Sequence, residues 1–135
     1  MFSAPQCCYD NYRIHHYRVG NKCYSAVRLD NGNTLIGGGN GHCVLEVTPN
    51  KEIVWSIFQH DLPGIVLAWV TQVKRKPNGN TQIVNCHAGP DNPHIVEVNS
   101  AKEVVWTWCD IFHDRQVYGI VVLAHLKICP IATSS

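Results

Sequence analysis

Long apolar runs are missing from this sequence. The longest candidate, Ile65 to Val70, is far below the roughly 18 residues that a membrane-spanning helix needs, which argues against membrane insertion. Basic runs are missing too: 11 Lys and Arg are scattered and offset by 10 Asp and Glu, which argues against a nucleic-acid partner. No basic segment leading into an apolar one opens the chain, so no secretory signal is visible. Charge of either sign is scarce, at 16% against the roughly 25% usual for soluble domains. Much of the surface is therefore uncharged, covered by a partner, or missing from a larger parent. No Cys-x-x-Cys pair occurs and no two histidines have helical i, i+4 spacing, so no metal site and no cofactor are expected. The seven cysteines (Cys7, Cys8, Cys23, Cys43, Cys86, Cys109, Cys129) are odd in number and scattered, and read as ordinary reduced thiols.

What is present is a repeat within one domain of 135 residues. The stretch Leu29-Asp30-Asn31-Gly32-Asn33-Thr34-Leu35-Ile36 returns as Lys76-Pro77-Asn78-Gly79-Asn80-Thr81-Gln82-Ile83, 47 residues later. Val44-Leu45-Glu46-Val47, followed by Lys51-Glu52-Ile53-Val54-Trp55, returns as Ile95-Val96-Glu97-Val98 and Lys102-Glu103-Val104-Val105-Trp106, 51 residues later. The second copy thus carries four extra residues, in the Cys86 to Pro93 region.

Each copy reads as four short strands. Asn-Gly between β-rich runs is a strong hairpin signal, and Asn31-Gly32 and Asn78-Gly79 are predicted to form two-residue type I′ turns. They join a first strand (about Ser25 to Leu29, and Val70 to Arg75) to a second (Thr34 to Gly37, and Thr81 to Asn85). Third strands follow at Val44 to Thr48 and Ile95 to Asn99, and fourth strands at Ile53 to Phe58 and Val104 to Trp108. The runs are β-branched and aromatic, and no helical periodicity competes with them.

A four-stranded antiparallel unit of about 40 to 50 residues in tandem predicts an all-β fold of β-propeller blades. Blade one spans about residues 25–58 and blade two about 68–108, with partial flanking blades at 1–23 and 117–127. Closure needs at least about four blades. The expectation is an incomplete propeller, either a fragment of a longer one or a chain that self-associates to close one.

The pattern Pro-Asn-Gly-Asn-Thr-x-Ile, a variable loop, then Ile-x-Glu-Val-x-x-x-Lys-Glu-Val-Val-Trp resembles the blades of bacterial arylsulfotransferase-like and quinoprotein-like β-propellers. The likeness covers roughly Ser25 to Trp108. It implies a propeller of about six blades and a secreted or periplasmic location. It also implies, as one alternative, a transferase with His87 as nucleophile or acid and Arg115 holding the anion.

In a four-strand meander, the loops after the second and fourth strands emerge at one end. This predicts that His42, His60, His87, His94 and His113 share a rim with Asp61, Asp91, Asp114 and Arg115. Loops on a rigid scaffold are where binding groups sit. The predicted ligand-binding set is His42, His60, Asp61, His87, Asp91, His94 and His113. The function read from the sequence is a non-catalytic binding or interaction module whose partners are further blades or further copies. A small molecule, glycan or peptide is its expected ligand, and the transferase is the alternative. Trp55, Trp106 and Trp108 are expected between blades, Trp69 near a central channel, and the recurring Glu46 and Glu97 in structural roles.

Overall fold

The computed structural model describes residues 23–109. The partial blades expected at 1–23 and 117–127 fall outside these residues, apart from Cys23. Eight strands are present, with no helix among the described residues: β1 (Ser25–Arg28), β2 (Thr34–Gly37), β3 (Val44–Val47), β4 (Ile53–Ile57), β5 (Trp69–Arg75), β6 (Thr81–Cys86), β7 (Ile95–Val98) and β8 (Val104–Trp108). They form two separate antiparallel sheets, β1-β2-β3-β4 and β5-β6-β7-β8, one per repeat. Every neighbour in each sheet is the next strand in sequence, as a meander requires.

The four tight turns, β1-β2, β3-β4, β5-β6 and β7-β8, share one build, and at the Asn-Gly pairs it is not the predicted one. In each Asn-Gly pair only the glycine has positive φ, +87° at Gly32 and +88° at Gly79, whereas a type I′ turn needs it at both central residues. Leu29 N donates to Asn33 O (2.8 Å) and Gly32 N to Leu29 O (3.0 Å), closing a three-residue loop. Lys76 N to Asn80 O (2.8 Å) and Gly79 N to Lys76 O (2.9 Å) repeat it. This is a type I turn ending in a left-handed residue. The asparagine is held out of the left-handed region because its side chain is used instead: Asn31 Oδ1 accepts from Asn33 N (2.9 Å), and Asn78 Oδ1 from Asn80 N (3.0 Å). The β3-β4 and β7-β8 turns follow the same pattern, with Lys51 (φ +71°) and Lys102 (φ +65°) in the position glycine fills elsewhere.

The two fourth strands share another feature absent from the sequence reading. Glu46 pairs with Trp55 and Val47 with Ile53, so Val54 is an extra, bulged residue; Glu97 with Trp106 and Val98 with Val104 make Val105 its twin. Both valines are exposed.

The sheets pack on one another through a shared core. Leu35, Val44 and Ile57 of the first meet Val73, Ile83, Val96 and Val98 of the second, with Leu62, Ile65 and Leu67 of the connecting segment sealing one end. The repeat positions of Ile83, Val96 and Val98 are Ile36, Leu45 and Val47, which form a second cluster on the opposite side of the first sheet. Equivalent faces are thus turned the same way, and β3 and β7 are buried along their whole length. Gly37 permits the approach: a Cβ there would stand 3.2 Å from Val70 Cγ1 and 3.3 Å from Val70 O. Two backbone bonds between Gly39 and Val70 (2.9 and 3.3 Å) then tie the β2-β3 loop to the start of β5.

Candidate functional site

Glu46 and Glu97 are anchors of the hairpins. Glu46 Oε1 accepts from Asn33 Nδ2 (2.8 Å) and Asn31 Nδ2 (3.2 Å) of the β1-β2 turn, and Oε2 from the Arg75 guanidinium (2.8 Å) of the other sheet. Glu97 is served from its own sheet by Asn80 Nδ2 (2.8 Å), Gln82 Nε2 (3.2 Å) and Lys76 Nζ (3.0 and 3.2 Å). Burial raises both carboxyl pKa values. The hydrogen bonds and the nearby cation outweigh it, so both lie below their ordinary value. These carboxylates are ionised and fully engaged, which suits a structural role and not proton transfer.

Trp55 completes that joint. The Arg75 guanidinium lies 5.3 Å from its ring centroid, and its indole N–H donates to Ser100 O (3.1 Å) in the β7-β8 turn. Trp55 is therefore held between the sheets, as expected. Trp108 instead packs edge-on to His94, with centroids 6.2 Å apart.

The predicted histidine set is divided by the structure. The His42 ring hydrogen-bonds to Ala68 O, fixing the β2-β3 loop on the segment that leads into β5. The His87 ring lies 5.3 Å from the Trp69 ring, and its Nδ1 is 3.1 Å from Cys86 Sγ. His42 and His87 thus flank Ala68 and Trp69 at one end of the sheets. His94, predicted on the rim, is buried against Trp108, and its backbone is paired on both sides, to Asn85 N (2.7 Å) and Trp108 O (2.8 Å). It directly precedes β7 and continues the buried run of that strand. Asp61 Oδ2 accepts from Phe58 N (2.8 Å) and closes its own turn. His60 and Asp91 are exposed. His113, Asp114 and Arg115 lie outside the described residues. Among the described residues, no three His, Cys, Asp or Glu side chains converge as a metal site would require.

Two residues that sequence reasoning passed over organise this end. Asn85, fully buried, accepts from Ala68 N (2.7 Å) and donates to Val66 O (3.0 Å) and Pro93 O (3.2 Å). One amide thereby holds the connecting segment and the inserted loop together, and Asn92 reinforces it by accepting from Val66 N (2.9 Å). The available signal was an amide inside a β-branched run, where an unpaired polar group is costly. Tyr24 is the other: its ring meets Trp69 edge-on at 5.7 Å and is half exposed. Tyr24, Trp69 and His87 therefore form a continuous series of rings where the first strands of both sheets begin.

Thiol chemistry is muted here. Cys86 is buried, and burial pushes its thiol up by more than hydrogen bonding from the His87 backbone lowers it, so it stays protonated at neutral pH. Cys23, Cys43 and Cys86 are not disulfide-bonded, in line with the sequence reading of reduced thiols. Cys109 departs from it: this residue, just beyond the end of β8, is disulfide-bonded.

No protein-family model and no curated protein matches the chain. A solved structure does: a protein of unknown function from Bacteroides caccae, determined by crystallography at 1.35 Å, is similar over 64% of this chain with 31% identity and a TM-score of 0.55. The match covers 34% of that protein, so the matched part of this chain spans about a third of its length.

Proposed function

We propose that this chain is a non-catalytic binding module of the β-propeller type, in which the two sheets are consecutive blades, β1 and β5 are their inner strands, and a ligand is taken at the loop end. The observation that carries the reading is the Tyr24, Trp69 and His87 ring series at the start of those strands. Flat rings, partly exposed and backed by the buried Asn85 amide, suit a ligand with a flat apolar face, such as a sugar ring. The Bacteroides structure supports the blade reading. The matched 64% of this chain, about as many residues as the two sheets span, takes up 34% of that chain, so one such pair of sheets per third of its length would give about six, within the range that closes a propeller. The test is fluorescence titration with a panel of oligosaccharides. A saturable change that is lost in Trp69→Ala and weakened in Tyr24→Ala is expected; binding indifferent to both substitutions refutes the reading.

A second reading, the arylsulfotransferase-like one, draws on the exposed His87, whose Nδ1 is turned toward Cys86 and whose Nε2 is uncommitted among the described residues. It needs Arg115 beside it. Release of a phenol from an aryl sulfate, abolished in His87→Ala, would favour this reading over the first.

A further inference from the structure

The stretch that follows β4 has a copy after β8. His60-Asp61 comes back as His113-Asp114, Gly64-Ile65-Val66 as Gly119-Ile120-Val121 and Leu67-Ala68 as Leu123-Ala124, 53 to 56 residues later. In the first copy this stretch folds back on the sheet it has just left. Asp61 closes the turn by accepting from Phe58 N (2.8 Å), and Ile65, Leu67 and Val70 then join Val44 and Ile57 in the shared core. The twins of Val44 and Ile57 are Ile95 and Trp108, which are cross-strand partners on the second sheet, with Val84 opposite Ile95 on β6. Side chains alternate along a strand, so Val84 and Ile95 point away from the shared core that holds their neighbours Ile83 and Val96. Strands β1 and β2 meet the second sheet at β5. Val84 and Ile95 are nevertheless 0% and 4% exposed within a single chain. The cover over this outer face is therefore the chain's own, and no second copy is needed to supply it.

We infer that the segment 119–126, which lies outside the described residues, docks on this outer face, setting Ile120, Leu123 and Leu126 against Val84, Ile95 and Trp108 as Ile65, Leu67 and Val70 are set against the first sheet. The segment suits an apolar face, because His125 is its one polar side chain. The repeat selects it over residues 1–22, which carry no copy of the Gly-Ile-Val and Leu-Ala pattern. Chain length agrees. Gly119 follows Cys109, the neighbour of Trp108, by ten residues. Ten residues reach up to about 33 Å, and four strands span only about 14 Å, so the chain can leave β8 and return across the whole sheet. Asp114 stands three residues after Ile111, as Asp61 stands after Phe58, so the side chain that closes the return turn is repeated as well. The inference rests on the repeat and not on the ligand assigned to the loop end.

Methyl NOE spectroscopy on the full, unsubstituted chain tests it. Cross-peaks are expected from the Ile120 and Leu123 methyls to those of Ile95 and Val84, and to the Trp108 indole protons. Cross-peaks from the same methyls to Ile36 or Leu45, on the opposite face of the first sheet, overturn the inference, and so does the absence of cross-peaks to Ile95 and Val84. Urea unfolding supplies an energetic reading. Ile95→Ala and Leu123→Ala should each lower the unfolding midpoint, and the double variant should be less unstable than the product of the two effects by at least about twofold in the unfolding constant, because the two side chains share one contact. Leu45→Ala combined with Leu123→Ala should multiply. Effects of Ile95→Ala and Leu123→Ala that multiply instead refute the contact. Neither reading involves sugar, so a failure of oligosaccharide binding counts against the loop-end ligand alone.

Discussion

Replacing Arg75 with alanine removes the ion pair that links the sheets. Its guanidinium makes a charge-assisted bond to Glu46, lies over Trp55, and donates through Nε to Thr81 Oγ1 (2.9 Å). Hydrogen bonds to charged groups contribute about 1.5 to 3 kcal/mol, and a cation over an aromatic ring adds about 0.5 to 1 kcal/mol where it is partly solvated. The Arg75 side chain is 25% exposed and Glu46 keeps two asparagine donors, so the lower part of that range applies. We expect a loss of about 2 kcal/mol, a large share of the roughly 5 to 15 kcal/mol that holds a typical domain together. The internal control is Lys76→Ala. It strips the equivalent carboxylate of its cation within one sheet, from a side chain 34% exposed, and should cost only about 0.5 kcal/mol. Urea unfolding followed by tryptophan fluorescence compares the two, with Arg75→Lys expected between them because it keeps the charge and loses the fork. Equal losses in Arg75→Ala and Lys76→Ala would refute the view that this cation joins the sheets.

Asn85→Ala orphans one amide N–H and two carbonyls in a buried site and should cost about 3 kcal/mol or more, read as a lowered urea midpoint. Both Glu46 and Glu97 are held below their ordinary value of 4.5. The stability they contribute is thus complete above the ordinary carboxylate range and is lost as pH falls through their lower native values; urea midpoints from pH 7 to 3 should decline, less steeply in Glu46→Gln. Lys51→Gly and Lys102→Gly relieve left-handed backbone at a cost in unfolded-chain entropy, for a net gain of about 0.5 kcal/mol each, measurable as a rise in melting temperature.

The strands were legible in the sequence because two copies of one pattern constrain each other. Thr34 to Gly37 and Val104 to Trp108 coincide with β2 and β8, and the other boundaries fall within a residue of those observed. The turn class was not legible. Asn31 can enter the left-handed region or accept its neighbour's amide, and both copies take the second course, Asn31 Oδ1 accepting from Asn33 N and Asn78 Oδ1 from Asn80 N. The bulges at Val54 and Val105 were hidden because an exposed valine in a strand looks like a core residue until its partner's register is known. For the rim, topology predicted which loops share an end but not the direction of each ring. His87 and Trp69 meet there, while His94, directly before β7, is buried against Trp108.

The displaced residue in three of the four outer strands bears on how this molecule avoids its neighbours. In β4 and β8 it lies at Val54 and Val105, and in β5 at Thr71. A strand interrupted in this way offers a visiting chain a broken ladder of donors and acceptors, so open-ended strand addition, the route to fibrils, is blunted at those edges. The remaining edge, β1, is only four residues long and ends in an arginine. The edges are thus guarded by backbone irregularity, which leaves the flat faces, and not the margins, as the surfaces through which such units can stack in order.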